Sequence, residues 1–344
     1  MSDLPRVCVA ISTYFTGEVI YEVLRSIANL DYPRDKITVN VIIAKDDHST
    51  YEYVLNASKD FNINVNTYIV NAPNVDVERN AGIRSCSDAP YILLMDDDAV
   101  LHPNTIKKAL SHFSDNGVCA VVFPTVGECK SLVERLHSCR YLRGIFYGVN
   151  TTMPVTMLRR DALDRVGLFR EDMGPPYSIH EDWEMGSRIR KSGCEVVADG
   201  ELILRDLGDQ TLRKRRTAHI NDRPARRSIL GVFTGYVRSY VNRNWWSMLQ
   251  VFKSSPTDQL LEYTFYLINP VFFILLLTIN WPWGVAYLGV VLIGTVLENL
   301  VKGYYRVFSV RYRILYPLLM LGIRTLRTYF FLIGLLVNAF KRKR

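Results

Sequence analysis

The 344-residue sequence predicts an α/β chain: an open sheet with helices on both faces, followed by a C-terminal helical membrane region. Three observations carry this. Short apolar runs alternate with amphipathic helical segments up to about Asp222. Two of those runs end in acidic clusters, Asp46-Asp47 and Asp96-Asp97-Asp98. From Tyr263 to Val301 the only charged residue is Glu298. The chain divides accordingly into a sheet domain over 1–222, a basic and amphipathic juxtamembrane segment over 223–260 and a membrane region over 261–344.

The elements follow in order. "VCVAIST" from Val7 reads as a strand, and Gly17 to Leu30 has helical spacing at Val19, Ile20, Val23, Leu24 and Ile27 before "DYP" stops it. "ITVNVIIA" is a second strand, Tyr51 to Lys59 a helix and "INVNTYIV" a third strand. "VDVERNAGIRSC" has the look of a helix. Tyr91 to Met95 is short, continuously apolar and flanked by helical patterns, as expected of an inner strand in a parallel sheet. Pro103 to Phe113 is helical, and "VCAVVFP" is another strand. In such sheets ligands sit beyond the carboxyl ends of the strands, so both acidic clusters are expected at one crevice.

In "YILLMDDDAV" strand alternation places Asp96 and Asp98 on one face and Asp97 on the other. Paired carboxylates repel, and a divalent cation with oxygen ligands, Mg²⁺ or Mn²⁺, relieves the repulsion. A polar loop capping the next helix is the alternative. There is no GxGxxG after the first strand and no GxxxxGK[ST], so metal and basic side chains would have to hold any nucleotide phosphates. The six cysteines form no CxxC pair and no Cys/His metal spacing, and are expected as reduced thiols of a cytosolic domain. Met1 to Pro5 is polar, the pattern of a chain without a signal peptide.

Five stretches in order resemble glycosyltransferase family 2 enzymes of the GT-A fold with a C-terminal membrane anchor: "AISTYFTGE", "KDDHST", "VERNAGI", "MDDDAV" and "HEDWEMGSRIRKSG". The resemblance covers about residues 6 to 212 and implies a role for each matching position. Thr13 and Tyr14 would line the nucleotide base, and Asp47 would accept a hydrogen bond from it. Arg79 would hold the nucleotide near its phosphates. Asp96 would sit near ribose and metal, with Asp97 also on the nucleotide-sugar side. Asp98 would be the direct metal ligand, and Asp182 the general base. In "DLGDQT", Asp206 stands where the family has a histidine that can complete the metal shell. Phe15 and His48 also depart from the pattern and leave the base preference open. "QTLRK" has Gln210 and Arg213 but Lys214 where processive synthases carry tryptophan. Glu181, Arg213 and Arg216 are candidate phosphate or acceptor contacts.

The run "LRKRRTAHINDRPARR" suits a solvated segment attracted to anionic lipid, or one whose arginines reach a diphosphate or lipid phosphate. Nucleic acid is not an expected partner, because no binding module accompanies the charge. "GVFTGYVRSYVNRNWWSML" reads as an amphipathic helix on the membrane surface. Residues 263–301 read as a transmembrane hairpin with "WPW" at the turn. Residues of about 304–340, with Arg324 and Arg327 in their middle, read as one or two interfacial helices, with a third span as the alternative.

The expectation is an inverting, metal-dependent glycosyltransferase in the cell membrane, multi-pass, with its catalytic domain cytosolic. Its donor would be a UDP- or GDP-linked sugar, and its acceptor lipid-linked: a polyprenyl phosphate or an oligosaccharide on one. A sugar nucleotidyltransferase would need a Gly-rich loop after the first strand, which "ISTYFTGE" does not provide. A transporter would need polar groups at mid-bilayer. A non-catalytic sugar-nucleotide-binding membrane protein is the alternative from another class.

Overall fold

Strand β1 (Val7–Thr13) is flanked on both sides by parallel partners, β2 (Ile37–Ala44) and β4 (Tyr91–Asp96), with β3 (Val65–Val70) outside β2. These elements come from a computed structural model that describes residues 4–71, 74–127, 144–150, 152, 154–173, 180–208, 230, 234, 245–301 and 310–341. Beyond β4 the direction changes. β9 (Val155–Arg159) runs antiparallel to β4 and to β6 (Val118–Phe123). β10 (Glu195–Asp199) is parallel to β6, and β8 (Ile145–Tyr147) closes that edge antiparallel to it. The sheet order among the described residues is β3-β2-β1-β4-β9-β6-β10-β8. The strand at 91–95 is therefore an inner strand as expected, but of a mixed sheet. A smaller sheet joins β5 (Ala99–Val100), β11 (Leu204–Asp206) and β7 (Thr125–Val126) in the order β5-β11-β7.

Alternation along β1 divides the core. Val7, Val9 and Ile11 point to one face, where Ile20, Val23, Leu24 and Ile27 of helix α1 (Val19–Ala28) meet them. Helices α2 (His48–Asp60) and α4 (Thr105–His112) add Val54, Ala57, Ile106 and Ala109 to that layer. Cys8 and Ala10 point the other way, toward helices α3 (Val75–Ser85), α5 (Arg160–Val166) and α6 (Glu181–Lys191). Ile11, Ile20, Leu24 and Leu93 are completely buried, and each such side chain contributes roughly 1.5–3 kcal/mol. At Gly82 of α3 a Cβ would stand 2.9 Å from the Ala10 Cβ, so glycine lets this helix lie close on the sheet.

The cysteine expectation is corrected. Cys8 of β1 pairs with Cys86 at the end of α3, and Cys119 of β6 pairs with Cys194 after α6, both with Cα atoms 5.6 Å apart. Spacing along the chain gave no hint, because the partners lie 78 and 75 residues apart. The pairs are not reduced thiols, so they lend no support to a cytosolic compartment. Cys129 and Cys139 lie outside the described residues.

The C-terminal region is helical: α7 (Trp245–Ser254), α8 (Thr257–Ile279), α9 (Trp281–Val301) and α10 (Val310–Lys341). Two of these, over Thr257–Ile279 and Trp281–Glu298, are long and apolar enough to cross a membrane. Only 17% of each apolar window is buried. Phe265, Val271, Leu275 and Val290 face outward, unlike the helices of a soluble core. Trp281 and Trp283 are exposed at the turn between them. The segment expected as one or two interfacial helices is a single helix, α10. The charges in its middle are matched: Arg324 Nη1 donates to Tyr266 Oη at 2.9 Å and to Glu298 Oε1 at 3.2 Å.

Candidate active site

The chain leaves β1 through a tight loop, with Phe15 at φ 51° and Gly17 at φ 59°. Two buried carboxylates from the neighbouring strand ends hold it. Asp47, after β2, accepts from the Phe15 N–H at 2.6 Å through Oδ2. Through Oδ1 it caps α2, accepting from Thr50 N at 3.1 Å. Asp97, after β4, accepts from Tyr14 N at 3.0 Å and from the Thr16 hydroxyl. The two acidic clusters do meet at one place, the loop after β1. Asp47 and Asp97 lie beneath that loop, both nearly inaccessible, and Tyr14 is half-buried above them. Asp46 is exposed. The Thr13 hydroxyl is buried without a protein partner.

Arg79 forms the next layer. It comes from α3, is almost fully buried, and stacks over Phe169 at 5.5 Å. Its Nη1 donates to Glu181 Oε1 at 2.8 Å and its Nη2 to Asp96 Oδ1 at 3.2 Å. Burial opposes the guanidinium charge, but Asp96 and then Glu181 outweigh it and hold the pKa above its ordinary value. Burial pushes the Asp96 carboxyl up from its ordinary value, against the pull of Arg79. A third of the Asp96 side chain is still exposed, so water shares in stabilising its charge and blunts that push. The Arg79 Nε is buried without a protein partner.

The three aspartates of "MDDDAV" go three ways. Strand β4 ends at Asp96, so alternation stops before it could place Asp98 beside Asp96. Asp96 turns to Arg79, Asp97 to the β1 loop, and Asp98 toward Asp206. The Asp98 carbonyl accepts from Leu207 N at 2.8 Å, and Ala99 is registered opposite Asp206 between β5 and β11. Around Gly208 the side chains converge. A Cβ built there would stand 2.7 Å from Asp206 Oδ1 and 3.3 Å from Asp98 Oδ2. Asp206 Oδ1 also accepts from Gly208 N at 2.6 Å. The two carboxylates thus approach each other beside Gly208, and such a pair suits a hard divalent cation, whose other sites Mg²⁺ or Mn²⁺ fills with water and phosphate oxygen. Among the described residues no group of three His, Cys, Asp or Glu side chains converges for a metal. The expected set with Asp96 as a third ligand is therefore not assembled.

Asp182 sits in the first turn of α6, half-buried, with its carbonyl accepting from Thr152 Oγ1 at 3.1 Å. His180 precedes the helix at φ 69°, a left-handed position that histidine takes more readily than most residues other than glycine. On the inner side of α6, Gly186 lies against the chain at Asn150, whose carbonyl oxygen would be 2.1 Å from a Cβ. Glu181, expected as a phosphate or acceptor contact, is turned inward to Arg79 and is buried. The chain Asp96–Arg79–Glu181 thus ties the strand end bearing the acidic cluster to the helix bearing Asp182.

Arg213 and Arg216 lie outside the described residues, as does Gln210. Sequence reasoning missed Thr16, Gly208 and Trp183. Thr16 and Gly208 act through backbone position or a hydroxyl, which leaves no charge or period to notice. Trp183 reads in the sequence as one more apolar residue of a helix.

A sequence model described as "Glycosyltransferase like family 2" matches residues 5–220. Among solved structures, the mannosyltransferase PcManGT from Pyrobaculum calidifontis, solved with GDP-Man and Mn2+, matches with a TM-score of 0.50 and 17% identity. The match covers 92% of this chain and 87% of that one. TarS 1-349 from S. aureus matches with a TM-score of 0.49 and 13% identity, over 98% of this chain and 92% of that chain. At such identities the likeness to PcManGT bears on the fold alone, and the one to TarS is more distant still.

Proposed function

The chain belongs to glycosyltransferase family 2, and from that premise we propose that it moves a sugar from a UDP- or GDP-linked donor to a lipid-linked acceptor, with inversion, at a membrane surface. The observation that carries the reading is the convergence of Asp98 and Asp206 about Gly208, at the end of the strand that Arg79 and Glu181 join to Asp182. Thr13 and Tyr14 bind the base from the loop after β1. Asp47 and Asp97 are positioning residues: they fix the loop's backbone rather than meet the ligand. The buried, unpartnered Thr13 hydroxyl and Arg79 Nε are donors suited to ordered water or nucleotide oxygen at this edge.

Asp98 and Asp206 would hold Mg²⁺ or Mn²⁺, which would supply positive charge to offset the negative charge of the departing diphosphate. Asp182 accepts the acceptor hydroxyl's proton as that oxygen attacks the anomeric carbon. With one carboxylate acting on the acceptor side and no second nucleophile assigned among the described residues, the displacement is single and the configuration inverts. For a lipid-phosphate acceptor the nucleophile is already an anion and needs no base, so the role of Asp182 belongs to a hydroxyl acceptor. The outward apolar faces of α8 and α9 support membrane residence, which brings the site to a lipid-borne acceptor.

The test is Asp182→Asn in the full chain, with donor binding and turnover measured separately on a hydroxyl acceptor. Turnover should fall roughly 10²-fold or more while donor affinity holds. Near-normal turnover would remove Asp182 from the role, and a product of retained configuration would overturn single displacement.

A further inference from the structure

The outer side of α6 belongs to the helical region. Trp183, Ser187, Arg190 and Lys191 are spaced i, i+4, i+7 and i+8, a single stripe along a helix. Every one of them meets a helix from beyond residue 245. Ser187 Oγ bonds to Gln259 Oε1 of α8 at 3.1 Å, and both residues are buried. Arg190 Nη2 bonds to Asp258 Oδ2 at 2.8 Å, and Lys191 Nζ to the Lys253 carbonyl of α7 at 3.3 Å. At the first turn the Arg327 guanidinium of α10 lies 4.4 Å from the centre of the Trp183 ring and 5.4 Å from that of Tyr263. Its Nη2 donates to the Tyr263 hydroxyl at 3.1 Å. Leu319, also on α10, packs against the core cluster on the same face of the sheet as α6.

A guanidinium over a tryptophan face is attracted by the ring's quadrupole, and the attraction grows when water is excluded. Of the four contacts, this one falls on the turn that carries Asp182. The other three lie one to two turns further along, where they fix the axis of α6 but not the setting of its first residues. We propose that Arg327 is a positioning residue for sugar transfer. By holding Trp183 it sets the first turn of α6, and with it the Asp182 carboxylate, so the helical region shapes the active site as well as seating it in the bilayer. The inference rests on the reading of Asp182 as the group that engages the acceptor.

The experiment uses the full chain in lipid nanodiscs, with kcat, donor KM and nucleotide affinity measured for Arg327→Leu, Arg327→Lys, Trp183→Leu, the Arg327→Leu/Trp183→Leu pair and Asp182→Asn. Arg327→Leu should lower kcat about tenfold, the effect of a partly buried cation–π contact. Donor KM and nucleotide affinity should stay within about twofold, as expected when positioning rather than donor binding is lost. Arg327→Lys should recover most of the rate, and the double variant should be no slower than the slower single one. Should Arg327→Leu fail to fold, Arg327→Gln, which keeps the hydrogen bond to Tyr263 but not the charge, should show the same drop in kcat. An unchanged kcat in Arg327→Leu or Arg327→Gln, additive losses in the double variant, or equal losses of nucleotide affinity and turnover overturn the proposal. Full turnover in Asp182→Asn overturns the underlying reading and the inference together. An inactive Asp182→Asn beside a fully active Arg327→Leu overturns the inference alone.

Discussion

Replacing Arg79 with methionine tests whether the candidate site is braced by a buried ion pair. The guanidinium faces two carboxylates of unequal burial. Glu181 has 8% of its side chain exposed and Asp96 33%. Methionine keeps most of the stem's packing but leaves Glu181 charged in a site that excludes water. Breaking a buried pair this way costs about 3–5 kcal/mol. The half-solvated contact to Asp96 adds no more than about 1 kcal/mol, as for surface pairs. For a domain of this size each kcal/mol moves the melting midpoint by about 2–4 °C, so Arg79→Met should melt roughly 6–24 °C below wild type. Arg79→Met/Glu181→Gln removes the stranded charge and should regain at least half of that loss, because a neutral amide is far cheaper to bury than a carboxylate. Thermal scans of both variants in nanodiscs at a fixed heating rate provide the assay. An Arg79→Met midpoint within about 2 °C of wild type, less than 1 kcal/mol, would show that the pair does not brace the fold. A double variant no better than the single would show that Glu181 is not the stranded charge.

Gly208→Ala should weaken Mn²⁺-dependent nucleotide binding about tenfold or more, as crowding of metal ligands does, because its Cβ would stand 2.7 Å from Asp206 Oδ1 and 3.3 Å from Asp98 Oδ2. Titration calorimetry with UDP and GDP, with and without Mn²⁺, reads this, and unchanged metal dependence would move the cation elsewhere. Asp199, at the end of β10, gives an acid-range test. Burial alone would raise its pKa, but hydrogen bonds from His112 Nε2 at 2.7 Å and from Glu201 N, with the charge of Lys108, bring it below the ordinary value. A depressed folded pKa means stabilisation that is fully present above the unfolded value and lost as pH falls through the folded one. Asp199→Asn should therefore cost roughly 1.5–3 kcal/mol at pH 7. The gap should narrow below about pH 4, and melting midpoints whose difference stays constant from pH 7 to pH 3 would refute it.

Much of the fold was legible because its signals are periodic. "VCVAIST" and "ITVNVIIA" are β1 and β2 residue for residue, since continuous apolar runs between helical segments have few other uses. The short strands β5, β7, β8 and β11 were not legible. Two or three residues cannot show a period, and their pairing is set by distant partners such as Ala99 and Asp206. In the candidate site the acidic positions were readable, but not which way each would face. Alternation was extended through Asp98, whereas β4 ends at Asp96 and each aspartate answers to a different partner. Arg79 was expected beside the phosphates. Its bonds to Asp96 and Glu181 join residues 17 and 102 positions away, beyond the reach of any local pattern.

The helix carrying Asp182 is the element on which both halves of the molecule act. A glycine inside a helix costs about 1 kcal/mol relative to alanine, yet at Gly186 a Cβ would stand 2.1 Å from the Asn150 carbonyl oxygen. That approach lets the inner side of α6 lie flush on the sheet layer, where Met185 and Ile189 join the core. On the outer side Trp183 takes Arg327 and Ser187 takes Gln259. Glu181 anchors the first turn inward through Arg79, and Trp183 anchors the same turn outward, which leaves Asp182 between two restraints of opposite origin. The inner one belongs to the ion-paired cluster at the strand ends and the outer one to the C-terminal helices. On the function proposed above, this carboxylate would engage an acceptor from the bilayer while the donor sat at the strand ends, and α6 is the element that would register it to both.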